Sequence, residues 1–144
     1  MDPDGSNNTL EFIDTLATWD SPVLFFAWSP DGRSVAWQRN LHTQQTEIVI
    51  HELASHSERI LLSVKTSIAD LSWTTNNYII YALRTSDDRN LWMLPVTGGT
   101  PVQITKGLGR VAWPRVSADG RSVIFLQSKE IGHLWLAKLD GSGE

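Results

Sequence analysis

Cysteine is absent from the 144 residues, and methionine occurs only twice. Without cysteine there is no disulfide scaffold, no thiolate zinc site and no cysteine nucleophile. The four histidines, His42, His51, His56 and His133, include no His-Glu-x-x-His spacing of the kind that places two imidazoles on one metal. His51 is followed by Glu52, but adjacent strand residues face opposite sides and do not chelate one ion. No Gly-x-Ser-x-Gly elbow is present to expose a nucleophilic serine. No apolar run approaches the roughly 20 residues that cross a bilayer as a helix. The first residues, Met1-Asp2-Pro3-Asp4-Gly5, are acidic and polar where a secretory leader is basic and then apolar. The expectation is a soluble chain with no export signal and no membrane insertion. Positive charge is also scarce: 12 Lys and Arg against 16 Asp and Glu give a net charge of -4, which disfavours nucleic acid as a partner.

What is present is an ordinary packed composition, 41% apolar and 19% charged, at a length that suits one domain or part of one. Seven tryptophans are the unusual feature. The chain also repeats. Glu47 to Leu53, Asn90 to Val96 and His133 to Leu139 align so that Ile48, Leu91 and Leu134 are spaced by 43 residues each. The segment Arg59-Ile60-Leu61-Leu62 precedes Val102-Gln103-Ile104-Thr105 by the same 43, with Asp14-Thr15-Leu16-Ala17 as a looser first copy. Between these lies a shared core: Trp28-Ser29-Pro30-Asp31-Gly32-Arg33 in the first copy, Val116-Ser117-Ala118-Asp119-Gly120-Arg121 in the third, and a degenerate Trp73-Thr74-Thr75-Asn76-Asn77 in the second.

Asp-Gly between two runs of β-branched and aromatic residues is a strong hairpin signal, and Asn-Asn can adopt the positive φ that such a turn needs. Each copy then has four strand candidates: one before the core, two in the hairpin and one after it. Val35 and Trp37, Ile80 and Ala82, and Val123 and Phe125 each share a face by the two-residue period of a strand. No apolar pattern at helical spacing competes. Four antiparallel strands every 43 residues is the period of a β-propeller blade. The fold class read from this is all-β, with three blades placed at about 1–55, 56–99 and 100–144.

These residues resemble the WD40-like (PD40) repeat of TolB-type β-propellers. The Trp28-to-Arg33 core, the Leu-Trp pairs at 91–92 and 134–135, Gln103-Ile104-Thr105 and the Asp140-Gly141 turn carry the resemblance. It implies a six-bladed ring and hence that three blades are half of one. Asp2 to Ser6 resembles the Leu139-to-Gly143 turn, so the chain is expected to begin and stop at equivalent points of the repeat. A half ring exposes two apolar blade faces, and two copies about a two-fold axis bury both. The expected state is therefore a homodimer. The expected role is a non-catalytic scaffold or protein-interaction module, bacterial and, if the resemblance extends to TolB itself, from a periplasmic parent. The alternatives are the propeller portion of a prolyl-oligopeptidase-like or tricorn-like peptidase, and the sensory propeller of a bacterial regulator.

No catalytic, cofactor-binding or metal-ligating set is assigned. Ser29, Ser117, Asp31 and Asp119 read as turn residues, and Asp2-Pro3-Asp4-Gly5 lacks the later acidic ligands of a calcium loop. Gly98-Gly99 and Gly107-Leu108-Gly109 read as turns, with no helix behind them to cradle a phosphate. Trp28 and Trp73, and Trp92 and Trp135, recur at repeat positions and are expected in the core between blades. Trp19 and Trp113 fall outside those positions and, with Arg110 and Arg115, are the candidate binding surface. Lys106, Arg110 and Arg115 form a small basic group close in sequence, suited to an anionic partner at the propeller mouth.

Overall fold

The computed structural model describes residues 25–41, 45–86, 88–107, 109–128 and 132–140. Its strands begin at the turns. The Ser29 hydroxyl donates to Asp31 Oδ1 at 2.7 Å and accepts the N–H groups of Arg33 and Ser34 at 3.1 and 2.9 Å. Asp31 Oδ1 accepts a further bond from the Arg33 N–H, and Gly32 takes the positive φ of 69° that closes the turn. Ser117 and Asp119 repeat the arrangement at 2.6 Å, with Ser122 N–H donating to the Ser117 hydroxyl at 3.0 Å. In the second copy Thr74 Oγ1 accepts the Tyr78 N–H at 3.0 Å and Asn77 supplies the positive φ of 59°. The structural reading of these serines and aspartates therefore stands on their hydrogen bonds.

Among the described residues eleven strands result: β1 (Phe26–Trp28), β2 (Ser34–Leu41), β3 (Gln45–Glu52), β4 (Ser57–Val64), β5 (Ile68–Trp73), β6 (Tyr78–Thr85), β7 (Asp88–Pro95), β8 (Val102–Gln103), β9 (Arg110–Val116), β10 (Ser122–Ser128) and β11 (Gly132–Lys138). Strands β1 to β4 pair in order as an antiparallel sheet. Strands β5 to β8 repeat that order, and β9 to β11 supply three strands of it again, joined to β7 by one parallel pair, Arg89 with Arg110. We call these the first, second and third units. The strand that precedes each core in sequence hydrogen-bonds to the unit before it: β4 lies on β3 and β8 on β7. Repeat and sheet thus share a period but differ in phase by one strand. Among the described residues no helix is long and apolar enough to cross a membrane.

The core lies between units. Ala36, Ile48 and Ile50 of the first unit pack on Ile68, Leu71, Ile79, Tyr81 and Leu94 of the second. Ala69, Ile80, Ala82 and Leu91 of the second pack on Val111, Val123 and Phe125 of the third. Each sheet therefore has a forward face toward the next unit and a backward face toward the previous one. The turn from Thr74 to Tyr78 is one residue shorter than those from Ser29 to Ser34 and Ser117 to Ser122. Ile80 and Ala82 consequently point forward while Val123 and Phe125 point back, so the two pairs meet across the second junction.

Two tryptophans expected in the core are not there. Trp28 is 57% exposed and Trp135 is 44% exposed. Trp73, the counterpart of Trp28, points back onto the first unit and packs there. Trp28, paired with Val35, points back from the first unit, which has no earlier unit beside it among the described residues. Trp92 is flanked by β8 through Gln103, whereas β11 has no fourth strand beside it among the described residues. The expectation of two open apolar faces also needs correction at one end. On the backward face of the first unit Trp37, Val49 and His51 are buried, and only Phe26, Trp28 and Ile60 at its margins are exposed.

Candidate functional site

The first strands of successive units lie side by side, β1 against β5 and β5 against β9. Their geometry is set by a bulge repeated 43 residues apart. Asp70 and Trp113 both take positive φ, 55° and 54°, and the register of β5 with β6 and of β9 with β10 shifts at these points. The buried Asp70 carboxylate accepts the Trp113 N–H at 3.1 Å, and the Ser72 hydroxyl accepts the Val116 N–H at 3.3 Å. Two side chains of the second unit thus satisfy backbone donors of the third.

Beside this latch the three first strands enclose a cavity of about 460 Å³, whose walls include Phe26, Trp28, Asp70, Trp73 and Arg115. Arg115 Nη1 donates to its neighbour's carbonyl, Pro114 O, at 2.8 Å. The indole N–H of Trp73 is buried and has no hydrogen-bond partner among the described residues. Aromatic walls and one cation suit a segment that is apolar or aromatic and carries an acceptor.

The predicted surface residues do not converge here. Arg115 lines this cavity; Trp113 is 60% exposed at the bulge beside it. Arg110 sits at the opposite end of β9, in a separate cavity with Arg84, Asp88 and Arg89. Lys106 is exposed on the connection between β8 and β9. The basic group read from nearness in sequence is therefore split, because a strand carries residues five apart to opposite ends. Trp19 lies outside the described residues. Phe26, Asp70 and Trp73 are not among the predicted site residues, and the signal that finds them is their place on the first strand of a unit.

The histidines are placed structurally. His51 Nδ1 is 3.5 Å from Glu58 Oε1, its ring meets that of His56 edge-on, and Glu58 also approaches Arg39, which is paired with Glu47 at 2.8 Å. Glu52, on the other face, accepts the Ser34 hydroxyl at 2.7 Å. His133 is exposed on β11 and His42 lies outside the described residues. Among the described residues no three His, Asp or Glu are grouped as a metal site.

The third unit presents the other candidate surface. Its forward face exposes Ile124, Leu134 and Leu136 at 37%, 69% and 69%. The counterparts Ala36, Ile48 and Ile50 in the first unit, and Ile80 and Leu91 in the second, are fully buried.

No protein-family model matches the chain, and no curated protein sequence matches it. Among solved structures it is similar to TolB from Acinetobacter baumannii, 17% identical with a TM-score of 0.74 over 86% of this chain and 31% of that one. It is similar to a TolB from Agrobacterium tumefaciens, 20% identical with a TM-score of 0.75 over 85% of this chain and 47% of that one. A prolyl endopeptidase matches at 19% identity and a TM-score of 0.63 over 84% of this chain and 20% of that one. The chain thus spans less than half the length of these proteins. The likeness shows the TolB-like β-propeller fold that the repeat pattern implied.

Proposed function

We propose that this chain, TolB-like by fold, is a non-catalytic protein-interaction module whose three blades join those of a second copy in a six-bladed ring. The observation that carries this reading is the forward face of the third unit. Of its exposed apolar residues, Ile124 and Leu134 occupy positions that are sealed in the other two units, and an apolar surface of that kind drives association. What a partner offers this face is the margin of its first unit's backward face, where Phe26, Trp28 and Ile60 are exposed while Trp37, Val49 and His51 are buried, and a two-fold axis makes both contacts alike. The cavity with Trp28, Trp73 and Arg115 is then the surface offered to a further protein segment.

The test is the absolute mass in solution, by light scattering after size exclusion, across a tenfold dilution. A stable value near twice the chain mass supports the ring of two halves. A monomer at every concentration overturns it. That outcome favours the second reading, the propeller portion of a larger peptidase, for which the prolyl endopeptidase likeness is the supporting observation.

A further inference from the structure

The junction of the second and third units carries arginines that assembly does not use. Arg84 on β6 stands directly opposite Arg89 on β7, and Arg89 pairs in parallel register with Arg110 at the start of β9. The three line a cavity of about 240 Å³ together with Asp88. The backbone fixes the arrangement: the Arg89 N–H donates to Gly109 O at 3.0 Å, tying the β6–β7 hairpin to the strand connection that leads into β9. Among the described residues none of the three arginines forms an ion pair, and Arg89 Nε is buried with no hydrogen-bond partner. Asp87 lies outside the described residues.

Such an arrangement is costly. Like charges directly opposite one another destabilise a sheet, and a buried guanidinium N–H without an acceptor carries an unrecovered desolvation penalty. The fold does not demand it. At the first junction the counterparts of Arg84, Arg89 and Arg110 are Asn40, Thr46 and Ser67. These three are neutral, with the Thr46 hydroxyl donating to Asn40 Oδ1 at 3.2 Å and Ser67 O accepting a backbone N–H, while the cations that line the cavity beside them, Lys65 and Arg84, stand at other positions. Among the described residues three guanidiniums face one carboxylate, an excess of two positive charges in a small polar cavity. Guanidinium forks bind tetrahedral oxyanions in two-point contacts.

We propose that Arg84, Arg89 and Arg110 form a binding site for a phosphate group, held as a dianion at the second blade junction. The site is independent of ring closure, because all of its residues lie within one chain. A single bound phosphate neutralises the excess charge of the described residues. The group is either free phosphate or a phosphomonoester, and the two are separated by titrating each.

The experiment is isothermal titration of the full chain with inorganic phosphate, and separately with O-phosphoserine, at constant ionic strength. The expected result is saturable binding of at least one of them, weakened about tenfold or more by Arg89→Gln and by Arg110→Gln. Absence of saturable binding of both ligands, or equal binding in the parent and both variants, overturns the proposal. In phosphate-free buffer the two variants are expected to melt at or above the parent's temperature, since each removes a like charge. Arg110 is exposed, so Arg110→Gln keeps the test open even if Arg89→Gln fails to fold. A clear fall in the melting temperature of Arg110→Gln without ligand would overturn the claim that the cluster is repulsive when empty.

Discussion

Leu91 and Leu134 occupy one repeat position, 43 residues apart, and differ in what stands before them. Leu91 is fully buried against Val111, Val123 and Phe125, whereas Leu134 is 69% exposed. Truncating a leucine to alanine removes three carbons, about 0.8 kcal/mol each and so about 2.4 kcal/mol of transfer free energy. The cavity left in a packed junction adds to this, giving about 3–5 kcal/mol for Leu91→Ala. In a lone chain Leu134→Ala leaves no cavity and costs about 0.5 kcal/mol or less. In a ring of two chains the same change opens a cavity at the seam, and its cost rises with protein concentration because only the assembled species feels it. Equilibrium urea denaturation of both variants at two concentrations a hundredfold apart reads all three quantities. A cost below about 1 kcal/mol for Leu91→Ala would show that the second junction is not packed and that the register of β7 is wrong. Equal, concentration-independent costs for the two variants would show that the third unit's forward face is covered within a single chain.

The two Asp-Gly turns make a second matched pair: both glycines have positive φ, 69° at Gly32 and 71° at Gly120, but only at Gly120 would a Cβ collide with Thr75 Oγ1. Gly32→Ala should cost about 1 kcal/mol and Gly120→Ala roughly 2–3 kcal/mol, read by thermal melting; equal losses would refute the turn-on-turn contact. The Ser29 and Ser117 hydroxyls, and then the Arg33 and Arg121 N–H groups, hold the Asp31 and Asp119 carboxyls below the usual 3.8. Lowered folded-state values stabilise the fold at neutral pH, and that contribution is lost as pH falls through them, below 3.8. A carboxyl-carbon NMR titration should see Asp31 return upward in Ser29→Ala while Asp119 stays put. Burial pushes the Tyr81 phenol up from 10.0 to about 12. The unfolded chain therefore loses that proton first, and stability should fall as pH rises from 10 toward 12; a spectrophotometric titration in which Tyr81 ionises near 10.0 would contradict the burial.

The period was legible because it is written in turn chemistry. Ser-x-Asp-Gly closes its loop through hydrogen bonds between residues at most five apart, so the sequence alone shows where β1 turns into β2 and β9 into β10. Face assignment was less legible. One residue fewer between Thr74 and Tyr78 reverses the facing of the strand that follows relative to a simple alignment. Ile80 and Ala82 are then a forward pair, though they align by eye with the backward Val123 and Phe125. The bulges at Asp70 and Trp113 left no turn signal at all, since neither is glycine and the bond that explains them joins different units.

A repeat specifies what a position is and leaves open what it meets. Trp28 and Trp73 are the same position, yet one packs on a neighbouring unit and the other looks outward, because the difference lies in the neighbour. The arginines show the converse. Arg110 was grouped with Lys106 and Arg115 by nearness in sequence, but its partners Arg89 and Arg84 are brought to it by a hairpin and a single parallel pair. Once the short turn is allowed for, those three positions can be set against Asn40, Thr46 and Ser67, and the contrast between charged and neutral sets becomes visible. Within a repeat the informative residues are therefore those whose chemistry departs from their counterparts where the packing does not. At the second junction that departure concentrates charge that the fold can do without, which argues for a ligand as its reason.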